Sequence, residues 1–145
     1  MGSIPGPMET WLAHRSLATL DLRLQRMCSN ALTIAEYLRT RPEVRDVRYP
    51  GLPDDRSHEV ATRQMYRYGP VVSFTLPTAQ GAERFLDACK LVYQATSFGG
   101  VHTTAERRAR WGGDPVPEGF IRLSAGCEAA EDLIEDIEQA LVAAF

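Results

Sequence analysis

One arginine stands within an otherwise apolar stretch of the chain. Arg122 is the third residue of Phe120–Ser124, in which both of its immediate neighbours are apolar. A charged side chain is costly to bury unless it is paired. A planar guanidinium suits two-pronged recognition of a carboxylate. Two interpretations are therefore open. Arg122 binds the carboxylate of a ligand, or it faces water or pairs with a structural Asp or Glu.

A second candidate is the glycine-containing segment Ser97–Gly100, which follows a stretch with the composition of a strand. Paired glycines permit backbone conformations with positive φ and the close approach of a ligand to the main chain. The alternative is a plain turn. If the strand before this segment is a neighbour of the strand that holds Arg122, the turn and the arginine line one pocket.

Among the histidines, His102 is the best placed for a site because it follows the glycine turn. His58 and His14 are expected to be structural, His58 through hydrogen bonds at a helix start. The three are not spaced as ligands of a zinc ion. The short basic run at positions 106–110 is interpreted as a solvated face.

The cysteines are odd in number and far apart, which predicts neither a metal site nor a disulfide framework. They are Cys28, Cys89 and Cys127. This usage favours a reducing, cytoplasmic compartment. Lys90 is the only lysine, so any chemistry that needs a lysine amine must use it or a lysine from another segment.

Composition excludes several classes of protein. A chain of 145 residues with 44% hydrophobic and 24% charged residues has the size and composition of one globular domain. The net charge of −3 gives no reason to expect a nucleic acid or an anionic membrane as partner. No apolar run approaches the roughly 20 residues of a membrane span.

The elements that must position Arg122 follow from periodicity and turn residues. Prolines and glycines in residues 1–7 predict a linker, and residues 8–145 form the domain. Helices are predicted over residues 8–40 (with a break near Arg15 and Ser16), 58–66, 79–88 and 128–144. Strands are predicted over residues 44–49, 71–76, 91–96 and 120–124. Residues 101–119 are predicted as a long loop with a helical turn at 105–111.

The interleaving of these elements predicts an α+β fold. Its mainly antiparallel sheet has about four strands, is covered by helices on one face, and is preceded by a long helix. Ser57 and Thr78 are expected to cap the helices that follow them.

Ordered motifs along nearly the whole chain resemble the C-terminal domain of the pyridoxal-phosphate-dependent trans-sulfuration enzymes, the cystathionine γ-lyase and γ-synthase family. Residues 11–23 are similar to W-L-x-x-R-G-L-x-T-L-x-x-R, and residues 47–52 to V-x-Y-P-G-L. Residues 58–69 are similar to H-x-x-A-x-R-Q-M-x-x-x-G, and residues 97–100 to S-L-G-G. Residues 121–134 are similar to I-R-L-S-V-G-x-E-x-x-x-D-L-I.

The resemblance implies the small domain of a fold-type-I enzyme, whose large domain carries the cofactor and its Schiff-base lysine. Arg122 then corresponds to the arginine that binds the substrate α-carboxylate, and Ser97 lies beside that carboxylate. Phe98, Gly99 and His102 complete the substrate-binding set, and His102 stands where many γ-acting members carry a glutamate. No catalytic, cofactor-binding or metal-binding residue is assigned to this chain. Lys90 matches no family motif.

The implied partners are a sulfur-containing amino acid, the large pyridoxal-phosphate-binding domain, and further copies in a homo-tetramer. Three alternatives stay open. The parent enzyme is a cystathionine γ-synthase or a methionine γ-lyase, or the chain is a stand-alone α+β binding or dimerisation module. An aminotransferase domain is disfavoured, because it is not expected to carry this ordered set of motifs.

Overall fold

The computed structural model describes residues 3–113 and 115–145. The first two residues of the predicted linker and Asp114 of the predicted loop lie outside the described residues. The helices are α1 (Pro7–Leu17), α2 (Leu20–Arg39), α3 (His58–Gln64), α4 (Ala79–Ala88) and α5 (Ala130–Ala144). The strands are β1 (Arg45–Arg48), β2 (Val71–Thr75), β3 (Tyr93–Gln94), β4 (Thr104–Arg107) and β5 (Phe120–Ser124). A 3₁₀ turn, Arg108–Trp111, follows β4.

The strands form one sheet in the order β1-β2-β5-β4-β3. All pairs are antiparallel except β3 with β4. The α+β, mainly antiparallel prediction is confirmed, but the sheet has five strands. The expected loop at 101–119 contains β4, and the helical turn predicted at 105–111 is reduced to the 3₁₀ turn. Because β4 is short and largely polar, it has none of the apolar alternation that identifies a strand.

One face of the sheet packs on helices. Val72 and Phe74 of β2 and Ile121 and Leu123 of β5 are 0% exposed and join one core cluster with residues of α2, α4 and α5. Side chains alternate between the two faces of a strand. The opposite face therefore presents Ser73, Arg122 and Glu106, which are partners across three neighbouring strands. We call this second side the open face.

The predicted long first helix is two helices. The break lies at Ala18 and Thr19, close to the break expected near Ser16. Arg23 holds the junction, since its Nη2 donates to the Ser16 carbonyl at 2.7 Å and its Nε donates to Thr19 Oγ1 at 3.2 Å. None of the residues of α1 is buried. No described helix is both long enough and apolar enough to cross a membrane.

Of the two residues expected to cap helices, Thr78 makes a capping hydrogen bond and Ser57 does not. Thr78 caps α4, because its Oγ1 accepts a hydrogen bond from the Gly81 amide at 2.9 Å. The Ser57 side chain makes no capping bond to α3. The nearby carboxylate of Asp55 accepts from the amide of Ser57, the residue before α3, at 2.8 Å and from the amide of Tyr49 at 3.1 Å.

Asp55 is a buried carboxylate that joins β1 to the segment before α3. Its side chain is 2% exposed and it accepts two hydrogen bonds from Arg48, at 2.7 and 3.0 Å. The hydrogen bond from Arg48 is the main reason that the pKa of Asp55 falls from 3.8 to about 2, with the amide bonds adding to the effect. The ionised form therefore stabilises the fold.

We expect Asp55→Asn to lower the free energy of unfolding at neutral pH by about 2 kcal/mol. The folded pKa lies below the unfolded value. The contribution is therefore complete above the unfolded value of 3.8 and is lost as the pH falls towards about 2. Urea unfolding of wild type and variant at several pH values measures this, and the two curves should converge in acid.

Asp54→Asn is the matched control. Asp54 pairs with Arg39 at 2.7 Å, but its side chain is 65% exposed. An exposed pair contributes roughly 0–1 kcal/mol. Equal destabilisation by the two variants, or a difference that persists at low pH, would contradict the role given to Asp55.

Candidate functional site

Arg122 lies in the middle of the sheet, on β5 between β2 and β4. It is opposite Ser73 on one side and Glu106 on the other. Its neighbours along the strand, Ile121 and Leu123, point into the helical core. Arg122 therefore projects from the open face, where its side chain is 22% exposed. It is not at a sheet edge, and it pairs with a glutamate of the neighbouring strand, Glu106, as the structural interpretation allowed.

The guanidinium of Arg122 is held on three sides. Its Nη2 donates to the carbonyl of Thr96 and to Oε1 of Glu106. Its Cζ lies 5.0 Å from the centroid of the Phe98 ring, a distance at which a cation is attracted to the ring face. Its Nε and Nη1 make no hydrogen bond to any residue in the two described ranges. These two nitrogens remain as donors for a ligand.

The predicted turn at Ser97–Gly100 does approach Arg122, although β3 and β5 are not neighbours. β4 lies between them, so the condition on which a shared pocket was considered, that the two strands are neighbours, is not met. The segment that links the parallel pair β3 and β4 reaches over β4 instead. Its Thr96 and Phe98 contact Arg122 directly.

Hydrogen bonds to the sheet fix this turn. The amide of Gly99 donates to Oγ of Ser124 at 2.9 Å, and Oγ1 of Thr104 donates to the carbonyl of Ser97 at 2.8 Å. Gly99 has φ of 78°, a conformation that favours glycine. The structure thus places Phe98 against Arg122, and hydrogen bonds to β4 and β5 hold its neighbours Ser97 and Gly99.

His102 stands apart from Arg122 and makes no hydrogen bond to it. The imidazole is 71% exposed, and its Nδ1 lies 4.0 Å from Oε1 of Glu128. The backbone on either side is fixed. The carbonyl of Val101 accepts from the amide of Cys127 at 2.8 Å, and the amide of Thr103 donates to Glu128 at 2.7 Å.

Gly126 permits this arrangement. A Cβ at position 126 would lie 2.5 Å from the amide nitrogen of Thr103 and 2.5 Å from the carbonyl oxygen of Val101, both of them backbone atoms. The glycine of the predicted R-L-S-x-G segment is therefore required for close packing. It lets the chain beside His102 lie directly against the end of β5.

Sequence reasoning missed Glu106, the residue that pairs with Arg122. The run at 106–110 was expected to be solvated, but Glu106 is 3% exposed. Its carboxylate accepts from Arg122, from Arg108 Nη1 at 2.9 Å and from Trp111 Nε1 at 3.0 Å. Only the alternation of Thr104 and Glu106 could have indicated that Glu106 is buried, and two residues are too few to establish a strand.

The rest of that run is also ion-paired. Arg107 Nε and Arg110 Nη2 share the Glu83 carboxylate of α4, at 2.6 and 2.5 Å. These contacts tie β4 and the 3₁₀ turn to the helical layer. The solvated-face interpretation is therefore wrong for most of the run.

A cleft of about 770 Å³ lies on the open face beside the arginine. Its walls come from β1, β2 and the segment before β5, and include Arg48, Ser73, Thr75 and Phe120. Ser73 is the partner of Arg122 across β2 and β5. Phe120 belongs to β5, so the cleft reaches the strand that carries Arg122, but Arg122 itself does not line it.

His58 and Cys89 lie in surroundings that give them structural roles. Nδ1 of His58 lies 2.7 Å from the carbonyl of Pro50, in keeping with the hydrogen-bonding role expected for it. Burial raises the pKa of the Cys89 thiol to about 12, which keeps it protonated. No group of three His, Cys, Asp or Glu among the described residues could hold a metal ion.

Comparison with known proteins gives a consistent result. Residues 1–142 match the family model of Cys/Met metabolism PLP-dependent enzymes. The chain is 67% identical over 141 residues to a putative cystathionine γ-lyase of Streptomyces coelicolor, which covers 97% of the chain and 36% of that protein. It is 42% identical over 148 residues to the cystathionine γ-synthase of Mycobacterium tuberculosis, covering 97% of the chain and 38% of the relative.

Among solved structures, the crystal structure of metB from Corynebacterium glutamicum is similar, with a TM-score of 0.91 and 40% identity. The match covers 97% of this chain and 39% of that one. The chain thus spans well under half the length of these relatives.

The residues of this chain do not by themselves fit pyridoxal phosphate. That cofactor is held through a lysine, and the sole lysine, Lys90, is an exposed residue between α4 and β3. Its amide donates to Oδ1 of Asp136 on α5 at 2.8 Å. Arg122 projects from the other face of the sheet. The described residues therefore provide an arginine on the open face and no lysine beside it.

We expect Ser124→Ala to loosen the turn, because the Gly99 amide loses its acceptor. One hydrogen bond contributes about 1 kcal/mol, so amide exchange at Gly99 should speed up roughly fivefold. Hydrogen exchange followed by NMR measures this. Ser29→Ala, on the exposed side of α2, is the control. Unchanged exchange at Gly99 in Ser124→Ala would contradict the role of Ser124.

Proposed function

Because the chain belongs to the family of Cys/Met metabolism PLP-dependent enzymes, we propose that it is the C-terminal small domain of a cystathionine γ-lyase-like enzyme. In this role it closes the active site and binds the substrate α-carboxylate through Arg122. The observation that carries the proposal is the guanidinium on the open face. It is anchored through Nη2 and keeps Nε and Nη1 for a ligand.

The residues of this chain bind and orient the substrate. Arg122 provides charge and directional donors to the carboxylate, and an anchored arginine fixes the direction in which the amino acid enters. Phe98 supports the guanidinium from its ring face. Ser97 and Gly99 line the approach, and His102 tunes specificity further along the same loop. The cofactor, when bound by the large domain, supplies the electron-withdrawing chemistry.

The open face and the exposed residues of α1 are the surfaces from which we infer the partners. The open face and its cleft suit the large pyridoxal-phosphate-binding domain, since the substrate must lie between the cofactor and Arg122. The exposed apolar residues of α1, among them Met8, Trp11 and Leu12, suit a further contact in a homo-tetramer. A sulfur-containing amino acid is the proposed substrate, and the cytoplasm the proposed location.

A cystathionine γ-synthase is the second candidate for the parent enzyme, because relatives of that name share the fold and most of the chain. Methionine γ-lyase is a further candidate. The three activities share the α-carboxylate and differ at the other end of the substrate. A stand-alone binding or dimerisation module is the non-catalytic alternative, which predicts weak or absent amino-acid binding.

In the full-length enzyme, we expect Arg122→Ala to raise KM for cystathionine about 100-fold, because a charge-assisted contact of about 1.5–3 kcal/mol is lost. Arg122→Lys should recover only part of this loss, since an ammonium lacks the planar fork. Steady-state kinetics measures both variants.

Arg84→Ala is the control, because Arg84 lies on the exposed side of α4. Its KM should equal that of wild type. An Arg122→Ala enzyme with unchanged KM would exclude the carboxylate-binding role.

The 145-residue chain alone should not attach the cofactor. After incubation with pyridoxal phosphate and borohydride, we expect mass spectrometry to find no stoichiometric label on Lys90, because that exposed residue lies beside α5, on the side of the sheet away from Arg122. The full-length enzyme, treated in the same way, should carry one label outside this chain. Stoichiometric labelling of Lys90 together with turnover would overturn the assignment of the lysine to another segment.

A further inference from the structure

We propose that Glu106 is the positioning residue of the site: its buried carboxylate anchors Arg122 so that the guanidinium meets the substrate carboxylate in one orientation. This inference rests on the proposed function of Arg122. Glu106 does not touch the substrate. It acts through the arginine opposite it on the neighbouring strand.

The first step concerns the nitrogen that Glu106 holds. Nη2 of Arg122 donates to both Glu106 and the Thr96 carbonyl. A two-pronged grip on a carboxylate uses Nη2 together with either Nε or Nη1. An incoming carboxylate therefore takes one Nη2 hydrogen from its present acceptor. The neutral Thr96 carbonyl is the weaker acceptor, so it is released and the charge-assisted bond to Glu106 stays.

The second step concerns what holds Glu106. The carboxylate is 3% exposed. Arg108 Nη1 donates to its Oε1 and Trp111 Nε1 to its Oε2, both from the 3₁₀ turn that follows β4. Both oxygens are therefore held by donors that do not belong to β5. A carboxylate that is hydrogen-bonded at both oxygens keeps a single position in the sheet.

The third step concerns the arginine itself. A free arginine side chain loses much of its rotamer entropy when it is ordered. Arg122 has lost that freedom before the substrate arrives, because Glu106, Thr96 and Phe98 already hold it. Thr96 and Phe98 belong to the exposed turn, whereas Glu106 is buried in the sheet. Glu106 is therefore the dominant anchor.

The test is Glu106→Gln in the full-length enzyme, which keeps the shape of the side chain and removes its charge. We expect KM for cystathionine to rise about tenfold with kcat within about threefold of wild type, because the arginine must be ordered as the substrate binds. Glu83→Gln is the matched control, since Glu83 also bridges two arginines but does not contact Arg122. Its KM should stay at the wild-type value.

A double-mutant cycle separates positioning from general stability. In an Arg122→Ala background, Glu106→Gln should raise KM no further, because Glu106 acts only through that arginine. Additive effects on KM would overturn the inference, as would an unchanged or lowered KM in Glu106→Gln alone. If Arg122→Ala itself leaves KM unchanged, the proposed function fails instead, so the two failures are distinguishable.

A second variant keeps the inference testable if Glu106→Gln does not fold. Trp111→Phe removes one donor to Glu106 at a residue that is itself exposed. We expect it to fold normally by circular dichroism and to raise KM about threefold, because one anchor of the carboxylate is lost. A wild-type KM in a folded Trp111→Phe enzyme would contradict the positioning role.

Discussion

The ion pair between Arg122 and Glu106 is the constraint around which the open face is built. A carboxylate at the centre of a sheet is stable only if its charge is matched and its oxygens are hydrogen-bonded. Three elements meet this requirement for Glu106: β5 brings the arginine, β4 brings the glutamate, and the 3₁₀ turn covers it with Arg108 and Trp111. The turn at Ser97–Gly100 then packs against the same arginine.

The two faces of the sheet use buried carboxylates for different purposes. On the helical side, Asp136 of α5 accepts the backbone amides of Lys90, Leu91 and Val92, at 2.8, 2.9 and 3.2 Å. These amides lie between α4 and β3 and would otherwise be buried without acceptors. Asp136 thus completes backbone hydrogen bonding and holds no side-chain cation. On the open face, Glu106 holds an arginine with unused donors, and that difference separates a structural group from a site.

Much of the fold follows from local signals in the sequence. The β-rich composition of residues 71–76 predicts β2, and the apolar stretch at residues 120–124 predicts β5, which has the predicted bounds. The carboxyl-terminal helix follows from its 3.6-residue period. Of the site, the motifs predict that Arg122 and the glycine turn lie together. In the structure, Thr96 and Phe98 contact the guanidinium of Arg122.

The parts that could not be predicted depend on contacts distant in sequence. β4 is a strand because β5 and β3 pair with it on either side, and its own residues carry no strand signal. Glu106 sits in a run of charges that is indistinguishable from a solvated surface by composition. Its burial arises from Trp111 and Arg122, which approach it only in the folded chain.

The packing at Gly126 has a consequence for which side chains position 102 can carry. The chain on either side of His102 is fixed by backbone hydrogen bonds and by the close contact with Gly126, whereas the imidazole projects into solvent. The backbone conformation of the loop therefore does not depend on which side chain stands at position 102. A new residue type at 102 alters what the loop presents to solvent without disturbing the loop, so the chemistry of the side chain there can change independently of stability.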